Sequence, residues 1–124
     1  MIDMYTKEVM EHFQNPRNVG ELESPDTVGE ARNEAHGDVI KLYIKIKDNI
    51  IEEIKFKTFG CAAAVATSSM FTVLAKGENI EEALKISKQD IADALGELPD
   101  NKMECSNLAP DAFKKAIEKY RQKR

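Results

Sequence analysis

Ile40, Leu42, Ile44 and Ile46 alternate with Lys41, Tyr43, Lys45 and Lys47. A period of two predicts a strand with one buried face and one wet, basic face. Asp48-Asn49 follows, a pair that tolerates turn conformations. A second strand is expected from Ile50 to about Phe59, closing an antiparallel hairpin. A weaker strand is expected over residues 28–34. Beyond Gly60 the pattern changes. Nearly every position of 62–75 is small or apolar, which predicts a helix buried on most of its surface, ended by Gly77. Asn79 with Glu82, and Ser87 with Asp90, have the spacing of N-terminal capping signals. They predict two short helices, the second closed by Gly96. Residues 98–104, which include Pro99, read as a loop. A last helix is expected from about Leu108, with Ala109, Ala112, Phe113, Ala116, Ile117 and Tyr120 as its apolar stripe. At the other end, Thr6 can cap a helix on which Tyr5, Val9 and Phe13 recur every four residues, and Asn15-Pro16 stops it. Strands followed by a run of helices predict an α+β fold, a small antiparallel three-stranded sheet with helices packed on one face.

Composition narrows the class without changing that layout. The 124 residues are expected to form one domain over 1–124. Hydrophobic residues make up 42% and charged residues 32%, which is globular rather than disordered. A net charge of −4 argues against nucleic acid as the main partner, because phosphate binding needs concentrated positive charge. No apolar run approaches the roughly 20 residues of a membrane span, so no membrane partner is expected. Met1-Ile2-Asp3-Met4 lacks the charged start and apolar stretch of a signal peptide. Two cysteines without a secretion signal are expected to be reduced thiols, and the expected compartment is the cytoplasm. His12 reads as a surface residue of the first helix. The cations from Lys114 to Arg124 read as a solvated face.

The candidate chemistry centres on Cys61 and Cys105. Each precedes an expected helix start, where free N–H groups and the helix dipole favour a thiolate, the form that binds metal and attacks sulfur. The plainer reading of each is a small buried hydrophobe. In His36-Gly37-Asp38, an imidazole and a carboxylate two residues apart can both reach a metal, though most turn histidines are simply solvated. Glu104 offers a further oxygen ligand, and reads more plainly as an exposed loop charge. His36 and Cys61 are 25 residues apart and the two cysteines 44, so spacing alone does not identify a metal site. A site assembled from three loops at one end of the domain remains open, and Cys₂His with a carboxylate would suit zinc or iron. There are no paired acid–base residues or phosphate loop that would point to a separate catalytic activity.

Several stretches together carry a resemblance. They are the run from Glu11 through Asn15-Pro16-Arg17-Asn18 to Gly20, then His36-Gly37-Asp38-Val39, Phe56-Lys57-Thr58-Phe59-Gly60-Cys61-Ala62-Ala63-Ala64, Ala66-Thr67-Ser68-Ser69, Leu98-Pro99, Lys102 and Cys105-Ser106-Asn107-Leu108-Ala109. In order and spacing the whole chain resembles the IscU family, found also as the N-terminal domain of NifU. The resemblance implies a scaffold for iron–sulfur cluster assembly rather than an enzyme. Such a scaffold receives sulfur from a cysteine desulfurase, builds a transient [2Fe–2S] cluster and passes it to iron–sulfur acceptor proteins. It also implies that Cys61, Cys105 and Asp38 are ligands and that Cys105 is a persulfide acceptor, with Tyr5 matching an N-terminal tyrosine. Two positions depart from the pattern. His36 stands where the family has its first cysteine, and Glu104 where it has a histidine. The implied site is therefore His36, Asp38, Cys61 and Cys105, with Glu104 beside them, and a mononuclear zinc or iron ion becomes competitive. The segment after Leu98-Pro99 reads Asp100-Asn101-Lys102 where the family's chaperone-binding motif continues Pro-Val-Lys, which leaves chaperone recognition in doubt. Two other readings stay open. One is a zinc- or iron-binding or regulatory relative that docks the desulfurase without building clusters. The other is a sulfurtransferase working through a Cys105 persulfide.

Overall fold

The computed structural model describes residues 5–34 and 37–123. Three antiparallel strands, β1 (Thr27–Asn33), β2 (Asp38–Lys47) and β3 (Ile50–Phe59), form a sheet in the order β1-β2-β3. Asp48 and Asn49 both take positive φ, 53° and 67°, and close the hairpin between β2 and β3. Asn and Asp bear that conformation better than other side chains. Ile40, Leu42 and Ile44 of β2 are wholly buried, as are Ile51 and Ile54 of β3. Tyr43 is buried too, although it alternates with them. It lies on the central strand between Val28 and Lys55, with the Lys41 ammonium 5.6 Å from its ring centroid. Cation and ring attract there.

Five helices follow the expected order. α1 (Lys7–Gln14) is capped by the Thr6 hydroxyl, which accepts from Val9 N–H. α2 (Ala62–Ala75) buries ten of its fourteen residues. α3 (Ile80–Leu84) starts where Asn79 Oδ1 accepts from Glu82 N–H, and α4 (Lys88–Ala94) starts with a reciprocal Ser87–Asp90 capping box. α5 (Leu108–Gln122) lies against β1 and β2, and α2 lies against β3. Phe71 of α2 and Phe113 of α5 meet with ring centroids 5.5 Å apart. The other edge of β3 is taken by residues 18–20, where Phe56 N–H donates to Asn18 O and Gly20 N–H to Phe56 O, both at 2.9 Å. This covers an edge that would otherwise present unpaired backbone. Among the described residues, no helix is long and apolar enough to cross a membrane.

Two expectations fail. Residues 98–104 are not an open loop, because Asp100–Asn107 forms a 3₁₀ helix that begins behind Pro99 with a 2.8 Å bond from Lys102 N–H to Pro99 O. Proline fixes φ for such a start and needs no amide partner. His12 is not a surface residue either. It is 8% exposed, and its Nδ1 lies 2.7 Å from Ser69 Oγ on α2. The stripe of α1 is wide enough to take the imidazole into the α1–α2 interface. Burial, and then the nearby Arg17 charge, hold its pKa below the usual value, so the ring stays neutral there.

Candidate functional site

Sheet register builds the site. Val39 pairs with Phe59, so Asp38 at the start of β2 lies beside Gly60 and Cys61 at the end of β3. Thr58 Oγ1 donates to Val39 O at 2.5 Å and ties this corner together. Gly60 is required by the close approach. A Cβ there would stand 2.3 Å from Asp38 Oδ1. With no side chain in the way, Asp38 Oδ1 accepts Cys61 N–H at 3.2 Å. Cys61 is the N-cap residue of α2 and is half-buried.

Cys105 arrives from the 3₁₀ helix and is wholly buried. Thr67 of α2 pins it, since its hydroxyl lies 3.3 Å from both Ala64 O and Cys105 O. The Cys105 thiol donates to Asp38 Oδ2 at 3.4 Å and lies 3.8 Å from Cys61 Sγ. Asp38 is 1% exposed, and these two donors offset the cost of burying a carboxylate.

The donor atoms of Asp38, Cys61 and Cys105 all lie within 4.8 Å of one another, as a metal ion requires. Two sulfurs on one tetrahedral ion, each at about 2.3 Å, stand about 3.8 Å apart. The observed sulfur separation is 3.8 Å. The thiols are thus already spaced for one zinc or iron, and a thiolate–carboxylate set suits either metal.

The expected thiol chemistry is corrected for Cys105. A helix start was expected to lower its pKa. Instead burial, then Cys61, then Asp38 push it up to about 12. The thiol sits inside the protein, and its nearest groups are another sulfur and an anion rather than free N–H groups. In the metal-free chain it is therefore a protonated thiol.

Of the other expected site residues, Glu104 is exposed and stands outside the converging group. His36 lies outside the described residues. Tyr5 packs against the core at the same end. Burial raises its phenol pKa, Lys102 opposes that shift, and both thiols add to it, so the ring lies within electrostatic reach of the site. Sequence reasoning missed Thr67 as the anchor of Cys105 and Gly60 as the space for Asp38. Thr67 lies inside an apolar helix whose pattern explains it as core. Gly60 reads only as a helix boundary.

The two thiols and the buried carboxylate gathered at one sheet end of this α+β domain form a donor set that could hold a metal ion. The chain belongs to the family described as the NifU-like N terminal domain, whose model matches residues 4–124. Iron-sulfur cluster assembly scaffold protein IscU 1 of Archaeoglobus fulgidus is 61% identical over 117 residues, covering 94% of this chain and 76% of that protein. The Escherichia coli scaffold protein IscU is 47% identical, covering 97% of this chain and 96% of its own length. A NifU-like N-terminal protein from Brucella abortus superposes with a TM-score of 0.80 at 21% identity, over 98% of this chain and 97% of that one. The last likeness bears on the fold alone.

Proposed function

We propose that this chain is a scaffold on which an iron–sulfur cluster, of the [2Fe–2S] type, is assembled and then given up. The carrying observation is the convergence of Asp38, Cys61 and Cys105 with two sulfurs at the spacing of one tetrahedral metal. High identity to proteins named as iron–sulfur scaffolds supports the same reading. The cluster is cargo rather than a resident group. Cys61 and Cys105 hold one end of it as thiolates, and Asp38 adds a hard oxygen ligand that binds iron less firmly than sulfur does. The family resemblance adds His36, two residues before Asp38 in the sequence, as a further candidate ligand. Glu104 has no part in this set. Sulfur comes from a cysteine desulfurase and the finished cluster goes to acceptor proteins, in a compartment reducing enough to keep both thiols free. The chain acts as a carrier, not as a turnover enzyme.

Metal and sulfide analysis tests this reading. Protein purified without oxygen and supplied with iron, cysteine and a desulfurase is expected to carry iron and acid-labile sulfide in equal amounts. His36→Ala is expected to change the visible spectrum or lower the iron content. Zinc or iron bound without sulfide under these conditions rejects the scaffold reading. A spectrum unchanged in His36→Ala removes the imidazole from the ligand set.

A further inference from the structure

Thr67 is buried within α2, and neither of its acceptors would be left without a partner in its absence. Ala64 O, 3.3 Å from Thr67 Oγ1, already accepts Ser68 Oγ at 2.7 Å. Cys105 O, also 3.3 Å away, already accepts the N–H of Leu108. We propose that Thr67 is the positioning residue of the two-thiol site: its hydroxyl holds the Cys105 main chain against α2 and so sets the distance at which both sulfurs meet a metal. The proposal takes from the scaffold reading only that Cys61 and Cys105 ligate one metal.

A buried hydroxyl gives up its bonds to water, and an apolar side chain of the same shape would fill this place as well. The other buried hydroxyls of α2 have tasks elsewhere. Ser68 bonds back to Ala64 O, Ser69 meets His12 Nδ1 and the N–H of Arg17, and Thr72 accepts Asn18 Nδ2. Of these side chains, Thr67 is the one whose bond reaches the 3₁₀ helix. That helix needs an outside hold. Runs of 3₁₀ geometry beyond three or four residues are uncommon, because the hydrogen bonds are poorly aligned. This one has eight residues and carries Cys105 near its end. The bond from Ser106 Oγ to Met103 O lies within it and ties it to nothing else. Thr67 has one proton and stands equally far from Ala64 O and Cys105 O. Ala64 belongs to the first turn of α2, which Cys61 caps. The hydroxyl therefore stands between the turn that carries one thiol and the segment that carries the other. With it in place the sulfurs are 3.8 Å apart. Without it, the main chain at Cys105 is free to draw back from α2, and the thiol goes with it.

Thr67→Val keeps the shape and removes the hydroxyl, whereas Thr67→Ser keeps the hydroxyl. In the metal-free, full-length chain carrying Cys61→Ala, alkylation of Cys105 by iodoacetamide reads how often the buried segment opens. Thr67→Val is expected to speed that reaction by about five- to tenfold, the effect of one lost hydrogen bond, with Thr67→Ser within about twofold of the parent. In the chain with both cysteines, cobalt(II) is the probe. Thr67→Val is expected to weaken the sulfur-to-cobalt charge-transfer band and to speed loss of cobalt to a chelator, and Thr67→Ser to restore both. Four results each overturn the proposal. They are parental alkylation in Thr67→Val, a faster reaction matched by an equal loss of global stability in urea, a cobalt spectrum indifferent to valine, and a serine variant that behaves as valine does. The alkylation arm contains no metal, so failure to build a cluster and failure of Thr67 to position Cys105 are separate results.

Discussion

Cys105 keeps a proton that its place in the sequence gives no reason to expect. Its folded pKa, raised to about 12 from an ordinary 9.0, makes the folded chain bind this proton more tightly than the unfolded chain does. The group's contribution to stability is full below the unfolded value and is lost as pH rises from about 9 toward about 12. Urea unfolding of the metal-free protein is therefore expected to show stability falling as pH rises through 9, with a shallower fall in Cys105→Ala. Equal slopes for the two proteins would mean the proton is not held. A metal must displace the same proton, so zinc binding at neutral pH is expected to release it. The residue types at this site are legible in the sequence. The protonation state is not, because it depends on burial and on Asp38, 67 residues away in the chain.

At the scale of elements, the site is a corner between β2, β3 and α2 with the 3₁₀ helix laid against it. Gly60 makes the corner possible. In Gly60→Ala the new Cβ would meet Asp38 Oδ1 at 2.3 Å and Ala64 Cβ at 3.1 Å, so the carboxylate must turn away from Cys61 N–H. Zinc affinity, read by competition with a chromophoric chelator, is expected to fall by about 10–100-fold with the circular dichroism unchanged. Unaltered affinity would show that Asp38 does not need its present orientation. Strand periodicity, the Asp48-Asn49 turn and the Ser87 capping box are local, and the sequence carries them openly. The 3₁₀ helix and the burial of His12 are not local. The first depends on how the chain after Pro99 packs on α2 and α4, the second on a serine 57 residues away.

Across the whole molecule, α5 is clamped to the sheet through β1. Thr27 Oγ1 donates to Ala116 O at 2.7 Å and Lys119 Nζ to Val28 O at 2.8 Å. Next to these two bonds lies Gly29, where an added Cβ would stand 2.1 Å from Ala112 O and 2.8 Å from Ala116 Cβ. The α5 backbone at Ala112 O and Ala116 N leaves little room to give. Gly29→Ala is expected to destabilise the chain by about 1–3 kcal/mol, read from the denaturant midpoint at constant m-value. A loss under about 0.5 kcal/mol, the range of an ordinary surface substitution, would mean that α5 can lift from β1 at little cost.

By itself the sequence determined the order of strands and α-helices, most of the buried faces, the turn chemistry and the identity of the reactive side chains. Each follows from interactions between residues close in the chain, or from the chemistry of a single residue. It also carried enough of the family's pattern to point to iron and sulfur. Only the tertiary structure decided that Asp38, Cys61 and Cys105 converge, that the two sulfurs stand 3.8 Å apart, and that one of the thiols is buried and protonated. Those properties depend on strand register and on the packing of the 3₁₀ helix against α2, which bring together side chains separated by 23 to 67 positions.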